Sequence, residues 1–129
     1  MAITAMPGFG EAALSEALNV LPSADIQTRH GLFRLFSRMA EPRNVVNLTA
    51  ESRSSLLSVL LAGVNESNPF SRVAAVQGLA HFPSSAAIEV VSRLATDDSF
   101  NVVTPAGTVR FPVREAAVKA LQSLTKTQN

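Results

Sequence analysis

Two twelve-residue segments of this 129-residue chain are alike, with five identical positions, and a third segment repeats their pattern in altered form. One copy is SRVAAVQGLAHF, residues 71–82, and another is VREAAVKALQSL, residues 113–124. Earlier in the chain, Arg29 to Phe36 places larger side chains in the same positions. A repeat of roughly 40 residues, with apolar residues at helical spacing in each copy, is typical of stacked helix pairs. The repeat therefore predicts an all-α solenoid.

Helix start and stop signals divide the chain into six helices. Proline ends two of them at Pro22 and Pro42, and Asn68-Pro69 is a cap followed by proline at the first helical position. The last helix is expected from Pro112 to about Leu124, with the residues after it frayed. Paired in order, the helices give one domain, 1–129, with units at about 9–40, 49–82 and 84–125. The residues from Arg43 to Leu48 are predicted as a connector.

The third unit contains an insertion, residues 99–112, between its two helices. Phe100 to Thr104 and Thr108 to Phe111 are rich in β-branched and aromatic residues, and Pro105-Ala106-Gly107 separates them. Proline at the first corner and glycine at a positive-φ position favour a three-residue hairpin loop with a bulge. The sequence therefore predicts a short β-hairpin.

Composition limits the function classes. The chain is 47% hydrophobic and 16% charged, with eleven Lys and Arg against ten Asp and Glu, so a strongly basic nucleic-acid-binding surface is not expected. It has no cysteine, which excludes disulfides and thiolate metal sites. No signal sequence or apolar span is visible, and we expect a cytoplasmic protein.

The repeated segments resemble the HEAT repeat family, in its short bacterial form. The resemblance rests on Val113-Arg114-Glu115-Ala116-Ala117-Val118-Lys119-Ala120-Leu121 and on Arg72-Val73-Ala74-Ala75-Val76-Gln77-Gly78-Leu79. It covers roughly residues 25–124, and the first unit is divergent, with Gly31 and Leu32 in place of the alanines.

This resemblance implies a right-handed α-α superhelix of three helix pairs, with the hairpin between the last two helices. It also implies a structural row in which an acid or amide in the turn and an arginine in the second helix link successive units. The members of this row are Asp25, Arg29, Asn68, Arg72 and Arg114.

Catalytic and metal-binding patterns are not apparent. His30 and His81 fall in different rows of the repeat and have no ligand-spaced partner, so we interpret both as half-buried packing residues. Asp97 and Asp98 are adjacent at a predicted helix end, where capping or a turn explains them. Nucleophile and phosphate-binding motifs are absent. We therefore expect a non-enzymatic protein without a cofactor or metal.

A surface for binding a partner protein is expected on the second helix of each pair, which commonly lines the concave side of a solenoid. The hairpin offers a second surface, either for adding a strand to a partner peptide or for covering the end of the stack. The candidate residues are Arg34, Arg38, Gln77, His81 and Lys119 on the helices and Phe100, Val102, Val109, Arg110 and Phe111 on the hairpin.

Two alternatives to this interpretation are open. The first is nucleic-acid binding through Arg34, Arg110, Arg114 and Lys119, which near-neutral charge disfavours. The second is a small immunity or chaperone-like protein dedicated to one partner. Self-association through the hairpin edges is a further expectation. The sequence leaves open whether the hairpin binds a partner or only caps the stack.

Overall fold

The computed structural model describes residues 2–128, with side chains described for residues 10–126. The described chain is mostly helical and carries one small antiparallel hairpin. Its elements are α1 (Ala2–Val20), a 3₁₀ turn (Leu21–Ser23), α2 (Ile26–Met39), α3 (Pro42–Val45), α4 (Ala50–Gly63), α5 (Pro69–Leu79), α6 (Ser85–Asp97), β1 (Val102–Val103), β2 (Val109–Arg110) and α7 (Pro112–Gln128).

Side-chain caps begin four of the helices. Asp25 accepts a hydrogen bond from the backbone N–H of residue 28 at 2.8 Å, and Thr49 accepts one from residue 52 at 3.1 Å. Asn68 and Ser84 cap α5 and α6 in the same way. Because the first N–H groups of a helix have no partner within it, each cap fixes where its helix starts.

Several predicted boundaries were wrong. The connector after Pro42 contains α3, because proline suits the first turn of a helix. α1 already begins at Ala2, whereas the first unit was expected from Phe9, whose side chain lies outside the described set. α5 ends at Leu79, before the predicted Phe82, and α7 continues to Gln128 where fraying was expected.

The second member of each predicted pair packs against its counterpart in the next pair. α2 lies against α5, α5 lies against α7, and α6 packs along α7. A single cluster of buried apolar residues runs through these contacts, with Phe33, Phe36, Leu56, Leu60, Leu79 and Leu124 among its largest members.

Gly63 shows how closely the helices approach one another. A Cβ built on Gly63 would lie 2.5 Å from Cε1 of Phe33 and 2.7 Å from Cβ of Ala75. Real Cβ atoms do not tolerate such distances, so a larger residue would force α2, α4 and α5 apart.

The hairpin has the predicted turn, and its paired strands are shorter than expected. Val102 pairs with Arg110 and Val103 with Val109. The N–H of Gly107 donates to the carbonyl of Thr104 at 2.8 Å, and Gly107 has a φ of 86°. Glycine adopts this conformation without the steric cost that a Cβ imposes.

Candidate functional site

Five residues on the helices were predicted to bind a partner. Four of them lie on the second helices α2, α5 and α7, and the fifth lies just after α5. Arg34 and Arg38 are exposed on α2, Gln77 is exposed on α5 and Lys119 is exposed on α7. His81 is also exposed, which corrects its interpretation as a half-buried packing residue. It lies in the turn after α5. We call these five residues the second-helix face.

The residues of the second-helix face line two separate shallow depressions. One, of about 310 Å³, lies between α5 and α7 and is lined by Gln77, His81, Lys119, Ser123 and three alanines. The other, of about 240 Å³, lies on α2 and is lined by Gly31, Arg34, Leu35 and Arg38. The structure therefore brings Gln77, His81 and Lys119 together and places Arg34 and Arg38 beside each other.

Charge separates between the two sets of helices, although the chain as a whole is nearly neutral. The second helices carry seven Lys and Arg residues and one acid, Glu115. The first helices of the pairs, α1, α4 and α6, carry five acids and two arginines. The overall composition does not show this asymmetry, because the two sets of helices alternate along the chain.

Three cations of the second-helix face have no acidic partner among the residues whose side chains the structure describes. Among residues 10–126, none of Arg34, Arg38 and Lys119 pairs with a carboxylate. Exposed, unpaired cations attract anionic groups at a range set by the ionic strength. The second-helix face is therefore suited to contact an acidic segment.

The arginines of the repeat make partly buried contacts. Arg29 forms a bidentate pair with the Glu66 carboxylate, at 2.8 and 2.6 Å, and donates to the carbonyl of Leu21 at 2.7 Å. Arg72 pairs with Asp98 at 2.8 Å and donates to the carbonyl of Glu66, also at 2.8 Å. Each arginine thus contacts the end of its own first helix and an acid after the next first helix.

Arg114 repeats only half of this pattern. Its Nε donates to the carbonyl of Asp98 at 2.6 Å, and its guanidinium lies 4.2 Å from the ring centroid of Phe111. Within the described part of the chain, no carboxylate pairs with Arg114.

The acids that bind these arginines differ from the expected ones. Asp25 and Asn68 cap helices, whereas Glu66 and Asp98 accept from Arg29 and Arg72. The signal that could have identified them is an acid just after each of the first helices α4 and α6. The insertion after Asp98 hid that correspondence, because it places Asp98 sixteen residues before Arg114, whereas Glu66 precedes Arg72 by six.

Two aromatic residues anchor the hairpin. Phe100 is half-buried and meets Phe70 edge-on with ring centroids 5.7 Å apart, and Phe111 is half-buried under Arg114. Arg110 pairs with Glu115 of α7, and this hydrogen bond raises the pKa of Arg110 and lowers that of Glu115. The phenylalanines therefore attach the hairpin to the helices.

The hairpin presents valines outward. Val102, Val103 and Val109 are 39%, 64% and 52% exposed. Such a set of apolar side chains beside open strand edges is a surface that can accept another chain.

Other polar groups have local partners. His30 is half-buried, with its ring centroid 6.3 Å from that of Phe70. Asp97 ends α6 and accepts from Thr96, while Asp98 is buried. Among the described residues, no group of three or more His, Asp or Glu side chains is arranged to hold a metal ion.

Across residues 2–128, no helix combines the length and apolar character needed to cross a bilayer. Comparison of the chain with protein-family models, with curated proteins and with solved structures finds no match.

Proposed function

We propose that the six long helices form three HEAT-like pairs that stack as a right-handed solenoid within a single domain. The contacts of α2 with α5 and of α5 with α7 support this arrangement. Further support comes from the hydrogen bonds that lead from Arg29 through Glu66 and Arg72 to Asp98 and Arg114. A repeated bond between consecutive units is what nearest-neighbour stabilisation of a solenoid requires.

On this scaffold, we propose that the protein is a non-enzymatic cytoplasmic interaction module that binds an acidic segment of a partner protein. The observation that carries the proposal is the group of exposed cations on α2 and α7, which have no carboxylate partner among the described residues. His81 and Gln77 add hydrogen-bonding groups beside Lys119. An acidic segment along this face would pair with Arg34, Arg38 and Lys119.

The hairpin is proposed as a second contact, used by strand addition. Its anchors are Phe100 and Phe111, and its exposed valines lie on short strands whose outer edges are unpaired in the described chain. An extended partner segment can satisfy such edges through its backbone and can cover the valines with alternate side chains.

A fluorescent peptide of alternating Glu and Gly tests the second-helix face. At low salt we expect binding to the wild-type chain, and we expect the triple variant Arg34→Glu, Arg38→Glu, Lys119→Glu to lose it. Arg93→Glu is the matched control for the single variant Lys119→Glu, because each reverses one exposed charge and Arg93 lies on the first helix α6. Failure of the wild type to bind, or an equal loss in the control, contradicts the proposal.

The hairpin is tested by replacing residues 101–110 with a short glycine linker and measuring capture of the native partner by pull-down. Circular dichroism must show that the variant keeps its helices. Unchanged capture by the folded variant removes the hairpin from the proposed interface.

The basic second helices also support one alternative, nucleic-acid binding through Arg34, Arg110, Arg114 and Lys119. A salt-titrated gel shift with duplex DNA tests it, since phosphate contacts make affinity fall steeply with salt. The absence of any shift at low salt would reject this alternative.

A further inference from the structure

The outer side of α7 exposes a position that is buried in the two other units. In the repeat alignment, Phe33 of α2, Val76 of α5 and Val118 of α7 are equivalent. Phe33 and Val76 are 1% and 0% exposed, whereas Val118 is 47% exposed. Phe33 lies against Gly63 of α4, in the following unit. Burial at this position therefore accompanies coverage by a following unit, and Val118 has no such cover.

The arginine row is incomplete at the same place. The side chain of Arg29 pairs with Glu66 and that of Arg72 with Asp98, and each acid follows the first helix of the next unit. Arg114 holds the carbonyl of its own turn but pairs with no carboxylate within the described residues. Within the described residues, Val118 is thus uncovered and Arg114 lacks a carboxylate at the same end of the stack.

A depression of about 400 Å³ joins these residues to the hairpin. It is lined by Val109, Arg110, Phe111, Arg114, Glu115 and Val118. We call Val109, Phe111, Arg114 and Val118 the terminal face. The hairpin therefore forms a side wall of this face and leaves Val118 uncovered.

A second copy of the chain stacked head to tail does not complete the row. Leu21, whose carbonyl binds Arg29, occupies the place that Glu66 and Asp98 hold in later units, and it has no carboxylate. The exposed residues of α1 also include Ser15, Glu16 and Asn19. The N-terminal unit therefore offers Arg114 no acid at the position that Glu66 and Asp98 hold, and the exposed side chains of α1 within residues 10–20 are mostly polar.

We propose that the terminal face docks a helix pair of a partner protein whose first helix is followed by an Asp or Glu. That carboxylate pairs with Arg114 as Asp98 pairs with Arg72, and apolar side chains of the partner cover Val118. The positive charge of Arg114 favours this occupant over an apolar helix alone. The inference rests on the proposed stacking of the units, and it uses a surface different from the second-helix face.

The test joins a second copy of residues 84–126 to the full chain through a flexible Gly/Ser linker. The tether holds this helix pair at an effective concentration in the roughly millimolar range. Because the chain has no cysteine, Val118→Cys introduces a single thiol whose reaction with a disulfide reagent reports exposure. We expect the tethered pair to slow labelling of this thiol about tenfold or more, since reaction then requires local opening.

Three controls accompany the measurement. Val76→Cys in the original chain is the buried reference, and Val46→Cys, at a position 64% exposed, should react equally fast with and without the tether. Asp98→Asn in the tethered copy alone should restore most of the labelling rate, while the original chain keeps its own Asp98.

Each outcome decides the proposal. Unchanged labelling of the Val118→Cys thiol in the tethered chain overturns it, as does protection that survives Asp98→Asn in the tethered copy. Protection in the original chain that grows with its concentration assigns the face to a second copy and also overturns it. The acidic-peptide assay separately measures binding at the second-helix face, so either proposal can fail while the other stands.

Discussion

The two terminal helices of the described chain differ in how they meet the rest of the molecule. On α1, Leu14 and Ala17 are buried, and Glu11 accepts hydrogen bonds from the backbone N–H of Thr49 at 2.6 Å and from the Ser52 hydroxyl. On α7, Val118 is exposed and Arg114 lacks a carboxylate among the described residues. A polar contact joins α1 to α4, whereas on α7 the position equivalent to the buried Val76 is exposed and the arginine equivalent to Arg72 has no carboxylate partner among the described residues. Residues at equivalent repeat positions are therefore buried or exposed according to whether another helix covers them.

The largest expected effect compares Val76→Asp with Val118→Asp. An unpaired charge at the fully buried Val76 should destabilise the fold by about 4 kcal/mol or more. At Val118, which is 47% exposed, the change should stay within roughly 0.5 kcal/mol. Urea unfolding measures both, and similar losses at the two sites would contradict the comparison.

The arginine row gives the second comparison. Arg72→Gln leaves the 8%-exposed Asp98 without its cation, and removing one partner of such a pair costs about 3–5 kcal/mol. Arg114→Gln leaves no carboxylate unpaired, so we expect a loss of about 1 kcal/mol for its hydrogen bond. Denaturant midpoints of the two variants test this order. Equal losses would show that Asp98 does not depend on Arg72.

Replacing Gly107 with alanine tests the hairpin beside the terminal face. Because Gly107 has a φ of 86° and open space around it, alanine should fit but cost about 1 kcal/mol in backbone strain. We expect faster amide exchange at position 107 and at Thr108, with little change in the helices. An unchanged exchange rate would mean that the turn relaxes without strain.

The contact of α1 with α4 gives a pH test. Hydrogen bonds from Ser52 and Thr49 lower the pKa of Glu11 below its ordinary 4.5. A lowered pKa in the folded state stabilises the protein above 4.5, and this stabilisation is lost as the pH falls through the folded-state value.

Glu11→Gln should therefore flatten the decline of stability between about pH 5 and pH 3. Glu16→Gln is the control, because it removes an exposed carboxyl from the same helix α1 and should leave the slope unchanged. Thermal unfolding across this range measures both. A wild-type slope retained in Glu11→Gln would contradict the role of this contact.

Local features were the most predictable from the sequence. Asp25 and Asn68 begin helices because a short polar side chain can satisfy a free N–H within a few residues. Pro105 and Gly107 predicted the hairpin turn for an equally local reason. The short helix at Pro42 was missed, because proline that ends one helix can also start the next.

The amino-acid sequence by itself determined the helices, their repeat and the hairpin, since these depend on periodicity and on chemistry within a few residues. Only the tertiary structure decided that Glu66 binds Arg29, that Phe33 packs against Gly63, and that Val118 is exposed whereas Val76 is buried. The physical reason is distance along the chain. The packing of whole helices selects a partner many residues away along the chain. A local sequence pattern therefore does not predict which of several equivalent repeat positions becomes buried.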